Sequence, residues 1–238
     1  MAFDRAIQIA RDGGVVPPTL RLYQWERPTV TLGKFQDPTA VDRALCMRLG
    51  VDVVRRFTGG RGVLHDDELT YSVVASTDDG VPRGTAASYR MICSAVAATY
   101  QALGVAAGLV PRDAGVKGSS ACYLHSTTAD LSLDGRKLSG SAQVWLRDTV
   151  LQHGSFVITR DVEREAAVFR LDAVAARRLA QTTVTLGDEL DRVPTVGQIA
   201  EAAVASFEQT LGVEFEAGEP TDQELELAGS LMPQVEGD

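Results

Sequence analysis

Along the first twelve residues, apolar side chains recur at helical spacing. Phe3, Ala6, Ile7 and Ala10 fall on one face, and Gly13-Gly14 ends the pattern, which predicts a helix over residues 1–12. This helix opens with neither a cap nor a preceding strand, so a missing amino-terminal piece is expected. Around Pro28 the pattern changes to alternation, predicting strands at 20–25 and 29–34. A helix over 39–49 and a strand over 51–57 follow. After a glycine-rich turn comes a second strand ending near Ala75, then a long apolar helix over 85–103. Residues 129–158 read as an antiparallel meander. The remainder reads as short helices, with an edge strand at 213–216.

Strand runs mixed with separate helices predict an α+β domain built on an antiparallel sheet. Gly187, Pro194 and a change of charge coincide at 187–194. The division expected there is a main domain over 1–186 and an acidic helical segment over 187–238, packed on the same domain. Residues 187–238 carry 13 acids and one base, Arg192, whereas residues 1–186 carry 19 acids and 22 bases. The chain of 238 residues is 45% hydrophobic, enough for a substantial core, and has no apolar run of membrane-spanning length. No signal peptide is visible, and a cytoplasmic protein without membrane attachment is expected. No basic stripe interleaved with aromatics is present, which argues against a nucleic-acid partner. Cys46, Cys93 and Cys122 form neither a disulfide framework nor a metal pattern.

Two segments carry candidate chemistry. In Thr58-Gly59-Gly60-Arg61-Gly62, three glycines in four positions let backbone N–H groups approach a ligand closely. Arg55, Arg56 and Arg61 surround it, and strand parity puts Arg55 and Arg56 on opposite faces, so that one of them faces a partner. The loop suits a carboxylate, a phosphate or a thioester carbonyl. The simpler alternative is a tight hairpin with solvated arginines. His65 follows, and is read either as a site residue or as a buried histidine bonded to backbone. Asp66, Asp67 and Glu68 are expected in a solvated turn rather than around a metal.

The second segment is LSLDGRKLSGSAQVW, residues 131–145. Asp134-Gly135 between alternating runs signals a two-residue hairpin. On the returning strand Lys137, Ser139, Ser141 and Gln143 share one face, and Leu138, Gly140, Ala142 and Val144 the other. A polar strand face ordinarily meets water, so a solvated Lys137 is the plain expectation. The alternative is a polar cleft between this strand, its neighbour carrying His153 and Gly154, and the glycine loop. Cys46 and Cys93 lie in apolar helical stretches and are expected in the core. Cys122 follows a small-residue loop, Gly118-Ser119-Ser120-Ala121. It is either a half-buried structural thiol or a nucleophile activated by a nearby cation, with Lys137 as the candidate.

Together, RRFTGGRGVLHDDELTYSV, GRKLSGSAQ and LQHGS, with LRLYQWERPTVTLGKFQ before them, resemble the lipoate-protein ligase and octanoyltransferase group of the biotin/lipoate protein ligase superfamily. The resemblance covers residues 1 to about 160 and is strongest to octanoyltransferases with a cysteine nucleophile. It implies an α+β catalytic domain with a mixed, largely antiparallel sheet flanked by helices. It further implies Cys122 as the acylated residue and Lys137 as the active-site lysine. Arg56, Thr58, Gly59, Gly60, Arg61, Gly62, His65, Ser139, Gly140, Ser141, His153 and Gly154 would line the acyl tunnel and its mouth. Octanoyl-acyl carrier protein is the implied donor. A lipoyl-acceptor domain, of the glycine cleavage H protein or dehydrogenase E2 type, is the implied acceptor. Neither metal nor cofactor is then needed. The alternatives are an ATP- and magnesium-dependent ligase forming an acyl-adenylate, and a non-catalytic acyl-binding module. One departure stands out: Tyr123-Leu124-His125-Ser126 follows the cysteine where family members carry a proline-serine-aromatic stretch.

Overall fold

The computed structural model describes residues 1–109 and 130–236, with side chains as far as residue 232. Helix α1 (Ala2–Asp12) buries its apolar stripe, and Ile7 packs against Val74 and Leu151 of the central sheet. That sheet has the order β1-β5-β10-β9, formed by Thr19–Tyr23 (β1), Glu68–Ser76 (β5), Thr149–Val157 (β10) and Ser141–Leu146 (β9), all antiparallel. Every residue of β5 and β10 is buried. Both faces of these strands are covered, so the polar side of β5's Glu68–Val73 alternation is buried too, and β10 shows no simple alternation.

A second sheet places β2 (Thr29–Leu32) between β3 (Asp52–Arg55) and β4 (Val63–His65). The β2–β3 pair is parallel and the β2–β4 pair antiparallel. The two strands flanking the glycine loop are therefore not partners, and the tight-hairpin reading fails: the loop crosses over the end of β2. A short helix α2 (Arg43–Arg48) precedes β3, its first turn capped by the Asp42 carboxylate accepting from Leu45 N at 2.9 Å. A third sheet contains β6 (Gly108–Leu109), β7 (Leu131–Leu133) and β8 (Arg136–Ser139). The result is the expected α+β architecture with mixed, largely antiparallel sheets.

The Asp134-Gly135 turn forms as expected, with φ of 49° and 76° at its two residues. The strand that returns from it does not continue unbroken. It stops at Ser139, and after Gly140 the chain enters the central sheet as β9, so residues 136–146 serve two sheets. The expected single meander over 129–158 is corrected accordingly. No strand forms at 213–216 either. Gly212 closes the preceding helix in the left-handed region, and Phe215 packs on the core while its N–H donates to Glu208 Oε1 at 2.9 Å.

Helix α3 (Thr85–Ala102) covers one face of the central sheet. After β10 come α4 (Val162–Val168), α5 (Ala173–Thr182), α6 (Leu186–Glu189), α7 (Val196–Leu211) and α8 (Asp222–Glu236). The last two are longer than the short helices expected. Helix α7 packs on α3, and α8 lies along α1. Through Phe207, α7 completes an aromatic cluster with Tyr71, Phe156 and Tyr100, whose ring centroids are 5.3–6.0 Å apart. Truncating such a ring in a packed core costs about 3–5 kcal/mol.

Candidate active site

Where the chain passes between sheets, Lys137 is turned inward. Its side chain is 2% exposed, and Nζ lies 2.8 Å from Asp130 Oδ2, itself 2% exposed. The solvated-face expectation for this lysine is thus overturned. An ammonium is held away from bulk water, and a carboxylate from the residue just before β7 balances its charge. Gly140 makes the room. A Cβ there would lie 3.1 Å from Lys137 Cε, 3.2 Å from Nζ and 3.5 Å from Asp130 Oδ1.

The peptide after Gly140 is fixed from the core side. Ser141 Oγ is 2.6 Å from Tyr71 Oη, and the Tyr89 hydroxyl donates to Ser141 O at 2.8 Å. Gly154, opposite Ser141 in the β9–β10 ladder, must lack a side chain: a Cβ would lie 2.7 Å from Ser141 Oγ and 2.8 Å from Gly140 O. The polar face of β9 therefore points at α3 rather than water. Gln143 bonds Ser88 and Gln152 at 3.1 Å each, and Gln152 Nε2 reaches Tyr71 Oη at 3.2 Å and Cys93 Sγ at 3.4 Å. Cys46 and Cys93 are buried as expected, and burial pushes the Cys93 thiol up to about 12.

The opposite wall is the glycine loop, and Arg56 is its internal strut. The buried guanidinium donates to Thr58 Oγ1 at 3.0 Å, Thr31 O at 3.0 Å, and Gly59 O and Arg61 O at 2.8 Å each. Arg55 donates to Gly33 O and Gln36 O at 2.9 and 2.8 Å. Both arginines thus brace backbone carbonyls, most of them in the loop and the turn beside it. A Cβ on Gly33 would collide with Gly60 O, so these two backbones touch. Thr58 Oγ1 ties the loop to β10 through His153 Nε2 at 2.7 Å. Burial, reinforced by the charge of Arg56, pulls the His153 pKa down to about 3, leaving the ring neutral near pH 7.

His65 is buried with polar side-chain partners, Glu68 Oε1 at 2.6 Å and Thr31 Oγ1 at 3.0 Å, and Trp25 stacks on it at 4.6 Å. Glu68 is therefore no part of a solvated turn. Only Asp66 and Asp67 are exposed, while Glu68 is 2% exposed. Burial alone would raise the Glu68 pKa. His65 and the hydroxyls of Ser155 and Thr70, at 2.6 and 2.7 Å, outweigh it and hold the carboxyl below its ordinary value.

Between the walls lies a cleft of about 170 Å³. Of the residues singled out from the sequence, Arg56, Gly60, Arg61, His65, Lys137, Gly140, Ser141, His153 and Gly154 line it. Thr58 and Gly59 instead hold Arg56, and Gly62 backs onto Phe169. Ser139 is buried and donates to Ser155 O at 2.8 Å. Cys122 lies outside the described residues. Sequence reasoning missed Asp130, Tyr71 and Tyr89. Asp130 falls within the predicted meander and the tyrosines within predicted strand and helix, where nothing in the local pattern sets them apart. Among the described residues, no group of three or more His, Cys, Asp or Glu is placed to hold a metal, and no helix is long and apolar enough to cross a membrane.

A model of the lipoyl protein ligase A/B catalytic domain matches residues 1–208, and the chain belongs to that family. Its relatives include proteins named octanoyltransferase LipM. The one from Kyrpidia tusciae is 39% identical over 98% of this chain and 89% of its own length. The one from Moorella thermoacetica is 38% identical over 94% and 86%. Among solved structures, a lipoate-protein ligase A bound with ATP matches with a TM-score of 0.80 at 24% identity, covering 98% of this chain and 88% of that one. A bi-partite lipoate protein ligase from Thermoplasma acidophilum, described with its E2 lipoyl domain, matches with a TM-score of 0.76 at 24% identity, covering 98% and 86%. At that identity the structural likeness speaks for the fold, which is that of the lipoate-protein ligases.

Proposed function

We propose that this enzyme is an acyltransferase that moves an octanoyl group from an acyl-carrier-protein thioester to a lysine of a lipoyl-acceptor domain, through an acyl-enzyme on Cys122. The acceptor is a domain of the glycine cleavage H protein or dehydrogenase E2 type. The observation that carries the reading is the buried Lys137–Asp130 pair on one wall of a cleft whose other wall is the glycine loop, in a chain 39% identical to an octanoyltransferase.

The Cys122 thiolate attacks the donor thioester carbonyl, and the carbonyl electrons move onto oxygen. Collapse of this oxyanion expels the carrier thiolate and leaves an octanoyl thioester on the enzyme. The neutral amine of the acceptor lysine then attacks the same carbonyl, and the cysteine sulfur departs and takes up the amine's proton as the amide forms. Lys137 supplies a fixed positive charge for the thiolate and then for the oxyanion. Asp130 holds that ammonium in place, and the glycine loop's backbone lines the acyl group's entry. Neither step requires ATP or a metal.

Intact mass after incubation with octanoyl-carrier protein, without ATP, tests the reading. An octanoyl adduct that hydroxylamine removes, and that Cys122→Ala cannot form, is expected. Transfer by Cys122→Ala at the wild-type rate would exclude the acyl-enzyme, and an absolute need for ATP and magnesium would make the protein a ligase.

A further inference from the structure

Among the described residues, the most exposed large hydrophobic side chain is Phe35, at 85%. It stands on the turn after β2, and that turn is held rigidly. Lys34 N donates to Thr58 O at 2.9 Å, Gly33 N donates to Gln36 Oε1 at 3.2 Å, and the Arg55 guanidinium clamps the carbonyls of Gly33 and Gln36. Gly33 also rests directly on Gly60, a residue that lines the cleft. Phe35 thus stands two residues beyond this contact, on a braced backbone beside the loop that forms one wall and rim of the cleft. Lys34 Nζ lies 5.3 Å from its ring centroid. Lys34 is exposed and Arg61 partly so, whereas the exposed Asp37 turns its carboxylate back onto Thr39 N at 2.8 Å. The rim is locally cationic on a chain of net charge −9.

We propose that Phe35 and Lys34 dock the lipoyl-acceptor domain, with the ring on an apolar patch beside the acceptor lysine and Lys34 against acidic side chains around that patch. This rests on the transfer reading above. An aromatic ring on a pre-ordered turn has the character of an interface anchor, since little freedom is lost when it binds. Charge selects the partner's sign: the enzyme as a whole repels an acidic domain, and this rim is where one is attracted. Reach favours the acceptor over the donor. The acceptor presents its nucleophile on one lysine side chain, so its surface must approach the rim closely. A donor whose acyl group rides on a long flexible arm can sit farther away.

The test compares Phe35→Ser and Lys34→Glu with wild type in three measurements: octanoyl-enzyme formation from donor alone, steady-state transfer, and direct calorimetric binding of an unmodified acceptor domain. Phe35→Ser should leave octanoyl-enzyme formation unchanged while raising KM and Kd for the acceptor roughly tenfold, with kcat near wild type. Lys34→Glu should raise both several-fold at low salt, with a penalty that shrinks as salt increases. Acceptor Kd and KM unchanged in both variants would overturn the proposal. So would a defect confined to the donor step, or a shift in sedimentation showing that the patch joins two copies of this chain. Absence of any octanoyl transfer by wild type would sink the transfer reading instead, and the calorimetric comparison would still decide the docking.

Discussion

Lys137 and Asp130 face each other at 2.8 Å with both side chains buried. A buried pair of this kind is costly to break on one side, because the remaining charge has no water to turn to. Removing one partner typically costs about 3–5 kcal/mol. Asp130→Ala should therefore lower the urea midpoint strongly and reduce transfer. Lys137→Met/Asp130→Leu, which removes both charges, should recover much of the stability and none of the activity. Lys137→Arg should keep its circular dichroism spectrum and lose most of its turnover, since Gly140 leaves room for an ammonium and not for a planar fork. Near-normal turnover in Lys137→Arg would remove this lysine from the chemistry.

Gly154 and Gly197 make a matched pair of tests. A Cβ on Gly154 would meet Ser141 Oγ and Gly140 O within 3 Å, whereas one on Gly197 in α7 meets nothing closer than Thr195 Oγ1 at 3.9 Å. Gly154→Ala is expected to cost about 1–3 kcal/mol through overpacking and to displace the Gly140 peptide, with loss of activity. Gly197→Ala should stabilise by up to about 1 kcal/mol through helix propensity. Thermal melts of both variants decide the matter, and an equal response at the two positions would contradict the packing at Gly154.

His153 should write a signature into the pH dependence of stability. Its pKa is pulled from 6.5 in the unfolded chain to about 3 in the fold, chiefly by burial. Between these values the unfolded state binds a proton that the folded state refuses. Its contribution is therefore complete above pH 6.5 and is lost progressively as pH falls toward 3, at about 1.4 kcal/mol per pH unit. His153→Gln, which retains a hydrogen-bonding group beside Thr58, should flatten the slope of unfolding free energy between pH 6.5 and 4. Parallel slopes for variant and wild type would show that the ring is protonated in the native state.

The thiols of Cys46 and Cys93 are both raised above the ordinary range, burial being the first cause in each. Neither should react with iodoacetamide at pH 8 until the protein unfolds, because the thiolate is the reactive form. Peptide mapping of native and urea-unfolded samples would show it. Rapid native labelling of Cys93 would mean that the layer between α3 and β9 opens readily.

The local pattern of the chain determined much of the architecture. Helical spacing placed α1 and α3 to within a residue or two, Asp134-Gly135 specified its turn, and three glycines in four positions marked the glycine loop. These features depend on neighbours in sequence. What only the tertiary structure decided is which surroundings those residues meet. The face bearing Lys137 reads as solvent-facing because alternation cannot say what lies above a strand; here Asp130 and the chain crossing at Gly140 enclose the ammonium. Arg56 and Arg55 read as a basic surface, yet backbone carbonyls of the loop and of the neighbouring turn draw both guanidinium groups into bracing roles. Glu68 reads as one of three solvated acids, and a buried histidine with two hydroxyls makes it an interior carboxylate. In each case sequence fixed the side chain's chemistry, while burial and partners, supplied by segments distant along the chain, fixed its role.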